Sequence, residues 1–348
     1  MRKNKLFLAG LLTLIMSIAL FGCSSGTTTD SSNGGSSNGG SDDGKYTIAT
    51  VVKVSGEAWF DRMEEGVVKF GEDTGHEAFQ QGPQQADAAQ QVQIIEDLIA
   101  QQVDAITVVP FSAEALEPVL KKAREAGIVV ISHEADGMEN VDYNIEAFNN
   151  SEYGEFLMDN LAAAMGEEGE YMTTVGSLTS TSHMEWVTAA VKHQEENYPN
   201  MTAVVTEVET GDDLQTASEK LREALKAHPN LKGFQGSAST DAPGAALAIE
   251  ELGLEGKISV VGTSVPSVSG QYIENGSINA ITFWDPAEAA YAMNTLAVMI
   301  LDGKKDEIKD GLDLGIPGYE SLTVKDNKYI YGNAYVKVDK ENLDEYDF

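Results

Sequence analysis

A chain of 348 residues with 42% hydrophobic content can bury large cores, and its length suits two compact units rather than one. Lys and Arg total 23 against 56 Asp and Glu, a formal net charge of -33 that repels a phosphate backbone and an anionic membrane surface, so nucleic acid is not expected as a partner. Beyond the Gly/Ser-rich stretch that ends at Gly44, the G-x-S-x-G elbow, Walker A loop, Rossmann glycine fingerprint and H-E-x-x-H are all missing, which leaves an enzyme, a nucleotide cofactor and zincin chemistry without their usual sequence support.

Arg2, Lys3 and Lys5 precede an apolar run from Leu6 to Leu20, and Leu20-Phe21-Gly22-Cys23 follows at once. This string resembles the lipobox of bacterial lipoproteins. The resemblance implies loss of residues 1–22 as a signal peptide, attachment of lipid to Cys23, and a protein held on the outer face of the cytoplasmic membrane. A transmembrane helix needs about 20 apolar residues, more than this run supplies. Residues 23–44 form a tether: SSGTTTDSSNGGSSNGGSDDG, after the cysteine, has no apolar residue that could join a core, and a Gly/Ser coil of this length spans about 25 Å.

Beyond Lys45 strand-like and helix-like patterns alternate. Tyr46 to Val54 reads as a strand, Trp59 to Thr74 as a helix, Glu77 to Gln81 as a strand and Ala86 to Gln102 as a helix with Val92, Ile95, Leu98 and Ile99 on one stripe. A strand at Asp104 to Val109, a helix at Ala113 to Ala126 closed by Gly127, and the apolar strand Val129 to Ser132 follow. Past Asn149 the alternation restarts, with strands near Tyr171, Thr202, Gly233, Ile258 and Ile278 separated by helices, and a helix from Pro286 to Leu301. After Gly303 only short β-like pieces remain, Leu322 to Val324, Lys328 to Tyr331 and Tyr335 to Val338. Alternation of this kind predicts an α/β fold of two doubly wound, Rossmann-like parallel-sheet domains with a ligand cleft at the carboxyl ends of the strands.

Two such domains behind a lipoprotein signal resemble the type I periplasmic binding proteins, the sugar-capturing subunits of ABC importers. The stretches TVVKVSGEAWF, VVGTSVPSV, GSINAITFWDP and the terminal DEYDF look most like the autoinducer-2 and rhamnose-binding branch. The resemblance implies a hinge crossed three times, with residues 45–148 plus 284–311 in the first domain and 149–283 plus 312–348 in the second. It also implies a monomer that delivers its ligand to an ABC permease. Lys53 matches a ligand-contacting lysine, Glu134 falls where the family usually has an aspartate, and Asp285 matches a cleft aspartate. Ser182 and His183 stand where autoinducer-2 binders carry Asp-Gln, and Ser237 and Ser239 where they carry Pro and Ala, so autoinducer-2 itself does not follow as the ligand.

The residues themselves also point to a sugar or polyol. Strand Val129 to Ser132 ends in His133, Glu134, Ala135 and Asp136, a polar cluster where an α/β sheet binds its ligand. Trp59, Trp186 and Trp284 each fall near a strand end; indoles pack on the C–H faces of sugars while polar side chains take the hydroxyls. Phe60 and Phe111 complete the candidate contact set, in which Lys53, Glu134, Asp136 and Asp285 supply charge-assisted hydrogen bonds. The competing expectation is a zinc carrier using His133, Glu134, Asp136 and His183, or an autoinducer-2 signalling receptor; no metal is assigned in the main reading.

Overall fold

The computed structural model describes residues 44–346 and Phe348. The signal-like segment, Cys23 and nearly all of the tether lie outside them. The first half runs β1 (Thr47–Val51), α1 (Ala58–Thr74), β2 (Glu77–Gln81), α2 (Ala88–Gln101), β3 (Ala105–Val108), α3 (Ala113–Glu125), β4 (Val129–Ser132) and β5 (Tyr143–Glu146). The second runs α4 (Asn150–Met165), β6 (Gly169–Val175), α5 (Thr181–Asn197), β7 (Met201–Glu209), α6 (Leu214–Ala227), β8 (Leu231–Gly236), α7 (Asp241–Leu252), β9 (Ser259–Thr263), α8 (Pro266–Asn275) and β10 (Ala280–Phe283). Helix α9 (Pro286–Leu301) and three short strands, β11 (Thr323–Lys325), β12 (Tyr329–Tyr331) and β13 (Val336–Val338), complete the chain.

Among the described residues the strands form two sheets, ordered β11-β12-β5-β4-β3-β1-β2 and β13-β10-β9-β8-β6-β7. The central strands pair in parallel and are buried along their length, which is why they are short β-branched runs with little alternation. Each sheet places its first strand between its second and third. The carboxyl ends of β1/β3 and of β6/β8 are therefore the topological switch points, where a doubly wound sheet opens a crevice for a ligand. Helix ends are fixed locally: Asp87, Ser112, Asn149, Asp213 and Asp285 cap α2, α3, α4, α6 and α9 by accepting hydrogen bonds from first-turn N–H groups.

The chain passes between sheets after β5, after β10 and after β12. Each passage brings one aromatic residue to a common cluster. Phe148, Trp284 and Tyr335 meet there, with ring centroids 5.0 Å apart for Phe148–Trp284 and 5.4 Å for Phe148–Tyr335. Tyr153 of α4 stacks on Phe148 at 4.1 Å, and its hydroxyl hydrogen-bonds Thr263 and Thr282.

Two features depart from the sequence expectation. Strand β5 was not anticipated, because its buried residues include Asn144 and Glu146 and break the apolar pattern. The third passage comes after Tyr331 instead of near residue 312. Strand β12 pairs in parallel with β5 and β11 pairs with β12, so both extend the first sheet, and of the terminal strands β13 alone joins the second. A three-residue strand carries a pairing period but nothing that specifies its partner.

Candidate functional site

A cavity lies where the two sheets' carboxyl ends face each other. From the first lobe it is lined by Lys53 and Glu57 in the loop after β1, by Trp59 and Phe60 in the first turn of α1, and by Glu134 after β4. The second lobe contributes His183 and Trp186 of α5, Asp212 after β7, Ser237, Ser239 and Thr240 after β8, and Thr263 at the end of β9. Trp284, in the second interlobe passage, closes one side. The enclosed space is only about 20 Å³, room for about one water and far too small for a monosaccharide. The lobes meet closely across it: the Ser182 hydroxyl donates to the Glu134 carbonyl at 3.2 Å.

The first-lobe floor is built around Glu134. Its φ of +55° puts a non-glycine residue in the left-handed region, a conformation that costs about 1–3 kcal/mol and needs support from its surroundings. That support is a buried network. Ser132 Oγ donates to Asn144 Oδ1 (2.8 Å), Asn144 Nδ2 to Glu146 Oε1 (2.9 Å), and the Ala135 N–H to the same Glu146 oxygen (2.9 Å). Burial pushes the Glu146 carboxyl well above its ordinary value. Thus fixed, Glu134 pairs with Lys53 at 2.5 Å, with the two side chains 4% and 3% exposed. Burial opposes the Lys53 charge, but the carboxylates of Glu134 and Asp212 outweigh it and hold the ammonium above its ordinary pKa.

The second-lobe face is organised differently. Gly154 of α4 lets α5 approach closely, since a Cβ there would lie 2.3 Å from the Trp186 carbonyl oxygen, and the Trp186 N–H is bound by Asn150 Oδ1 at 2.8 Å. His183 Nδ1 accepts the Gly176 N–H at 3.1 Å, which places the imidazole proton on Nε2. Burial, with the Lys53 charge adding to it, keeps His183 neutral far below the ordinary imidazole pKa. Gly176 also makes room for Asp212, whose carboxylate would sit 2.5 Å from a Cβ at that position. The Ser237 and Thr240 hydroxyl oxygens are buried and have no hydrogen-bond partner.

Nine of the expected contact residues line this cavity: Lys53, Trp59, Phe60, Glu134, His183, Trp186, Ser237, Ser239 and Trp284. Five are placed elsewhere. Ser182 is buried beside the cavity and holds Glu134, as described. His133 is a structural residue: Nδ1–H donates to the Ile145 carbonyl at 2.6 Å and Nε2 accepts the Trp284 indole N–H at 3.0 Å, so both ring nitrogens are used. Asp285 caps α9 and receives a bidentate ion pair from Arg62, at 3.0 and 2.6 Å. Phe111 is half-buried outside the cavity, its N–H held by Gln91 Oε1, which belongs to a side chain that also ties the ends of β1 and β3 together.

Asp136 faces an outer groove of about 790 Å³ and binds the Tyr331 hydroxyl. That groove is larger than the cavity and is lined by α4 and α5 together with Ala113, Glu114, Asp136, Lys325 and Tyr331; it lacks the tryptophans and the Lys53–Glu134 pair. With His133 engaged and Asp136 turned outward, the four residues of the zinc expectation do not converge. Among the described residues no group of three or more His, Cys, Asp or Glu side chains is arranged to hold a metal ion.

Sequence reasoning passed over Asp212, Glu57, Thr240 and Thr263. A signal existed for two of them. Asp212 and Asp213 lie in the short turn between β7 and α6, and only Asp213 is consumed as a helix cap; Glu57 lies inside the stretch TVVKVSGEAWF. Burial raises both the Glu57 and Asp212 carboxyls, and like charges add to it: that of Asp212 for Glu57, that of Glu134 for Asp212.

The family model of the periplasmic binding protein domain matches residues 48–305. The D-ribose/D-allose-binding protein of Pseudomonas aeruginosa is 25% identical over 281 residues, covering 77% of this chain and 86% of its own length. An ABC transporter solute binding protein from Clostridium phytofermentas, solved with bound L-rhamnose, is similar in fold with a TM-score of 0.80 at 22% identity, over 87% of this chain and 98% of that one. LsrB from Clostridium saccharobutylicum in complex with AI-2 gives 0.79 at 21% identity, over 87% and 100%. The family match spans β1 to the turn after α9 and so takes in both lobes and two of the three passages between them: this chain belongs to the periplasmic binding protein domain family.

Proposed function

We propose that this protein captures a small sugar or polyol between its lobes and delivers it to an ABC import permease, without chemical conversion. The observation that carries the proposal is the cavity itself, which three indoles line together with the unpartnered Ser237 and Thr240 at the switch points of two sheets. Two of the indole N–H groups are tied to Asn150 and His133, so those rings have no free donor and meet a ligand through their carbon framework, on which sugar C–H groups pack. The sugar-binding names of relatives such as the ribose/allose protein support the same class of ligand.

In this reading the lobes part about the three interlobe passages to admit the sugar. Closure sets Lys53 and Glu134 against His183, Trp186 and Ser237, and a ligand touching both faces stabilises the closed state. Cys23 carries the lipid that holds the monomeric protein at the outer face of the cytoplasmic membrane.

A thermal-shift screen of pentoses, hexoses, deoxyhexoses and sugar alcohols tests the proposal, with zinc and a chelator in separate wells. A cognate sugar at one hundred times its Kd should stabilise the fold by about 2.7 kcal/mol. A rise in Tm with zinc alone, reversed by the chelator, together with silence toward every sugar, would overturn it.

A further inference from the structure

Part of the cavity's polar lining is already balanced. Lys53 and Glu134 neutralise each other at 2.5 Å, and His183 is a neutral donor. Two carboxylates are left over: Glu57 from the first lobe and Asp212 from the second both line the cavity, and neither side chain makes a hydrogen bond or ion pair among the described residues. A pair of acidic groups is not a site in itself. Here they adjoin the buried, unpartnered hydroxyls of Ser237 and Thr240, and they share the space with Trp59, Trp186 and Trp284, whose centroids lie 4.6 Å (Trp59–Trp284) and 5.8 Å (Trp186–Trp284) apart.

Glu57 and Asp212 are half-buried, and among the described residues the Lys53 ammonium, already paired with Glu134, is the one positive charge acting on Asp212; closing the lobes over this excess of negative charge is unfavourable unless the ligand answers it. A neutral sugar can donate hydroxyl hydrogen bonds to each carboxylate but brings no opposing charge. An ammonium group does, and it is also attracted to the negative faces of indole rings. We infer that the cognate ligand is a sugar or polyol bearing a primary ammonium group, with Glu57 and Asp212 receiving the ammonium from opposite lobes while the ring lies against the tryptophans. Lys53, His183, Ser237 and Thr240 then serve the hydroxyl oxygens.

This inference rests on the sugar-binding reading above, and one experiment separates the two. Tryptophan fluorescence of the whole protein is titrated with D-glucose, D-galactose and D-mannose, with their 2-amino-2-deoxy counterparts, and with the N-acetylated forms, which keep the nitrogen but lose the charge. At least one amino sugar should bind tenfold or more tighter than both its neutral parent and its N-acetyl form. Asp212→Asn should erase that preference while a residual response to the sugar remains, and Glu57→Gln should do the same through the other lobe if Asp212→Asn fails to fold. Neutral sugars binding as tightly as their amino counterparts would overturn the ammonium assignment and leave sugar capture standing. A preference that survives both substitutions would overturn the roles given to these carboxylates. Silence toward every compound would overturn both readings.

Discussion

The two faces of the cavity are built in opposite ways. On the first lobe, Glu134 is held by a strained backbone, a buried Ser132–Asn144–Glu146 network and the Lys53 ammonium, and these groups satisfy one another, with Glu57 at the rim the exception. On the second, the Ser237 and Thr240 oxygens have no partner and Asp212 makes no hydrogen bond. The two buried histidines repeat the contrast, since His133 has both nitrogens bound within the protein and His183 keeps its Nε2 proton for the cavity. A self-satisfied surface is rigid and contributes to stability; a surface with unmade hydrogen bonds forgoes stability and gains most when a ligand supplies them.

Breaking the first face should have the largest effect. Glu134→Ala leaves the Lys53 ammonium buried without its carboxylate and should lower the unfolding free energy by about 3–5 kcal/mol in a denaturant titration. Adding Lys53→Met should recover most of that loss, because the two charges then disappear together. No recovery in the double variant would mean the pair is not self-contained.

A smaller effect distinguishes the second face by its pH dependence. The His183 pKa is depressed in the folded protein relative to the ordinary 6.5, so the unfolded chain takes up the proton first. The stability this group contributes is present above pH 6.5 and lost as pH falls below it. Relative to His183→Asn, whose amide oxygen can still accept the Gly176 N–H, the parent should lose about 1.4 kcal/mol per pH unit in this range. Parallel stability curves for the two proteins would show that His183 is not held neutral.

The smallest stability change carries a sharp contrast. Ser237→Ala removes a hydroxyl that makes no hydrogen bond, and should leave stability unchanged or raise it by up to about 1 kcal/mol. Sugar affinity should fall by about 0.5–1.5 kcal/mol, the worth of one hydrogen bond. Loss of stability with intact affinity would reverse the assignment of the two faces.

The alternation of apolar runs and amphipathic stripes made the two sheets legible, because fully buried parallel strands leave that trace in sequence. Strand β5 left none, since Asn144 and Glu146 point into a polar network instead of an apolar core. At the site, residue type located the strand ends but not the direction of each side chain. His133, Glu134 and Asp136 are near neighbours, yet one supports Trp284, one enters the cavity and one binds Tyr331 on the outside. Asp285 resembled a cleft residue in sequence, but Arg62, 223 residues earlier, claims both of its oxygens. Asp212 was missed for a related reason: of two adjacent acids after β7, only the fold shows which one caps α6.

The most direct measurement is a crystal structure of the protein with a sugar identified by the thermal-shift screen. Density against Trp186 and Trp284, within hydrogen-bond distance of Lys53 or Glu134 on one lobe and of Ser237 or Asp212 on the other, is the predicted result. A sugar bound to one lobe alone, or seated in the outer groove beside Asp136 and Tyr331, would contradict it.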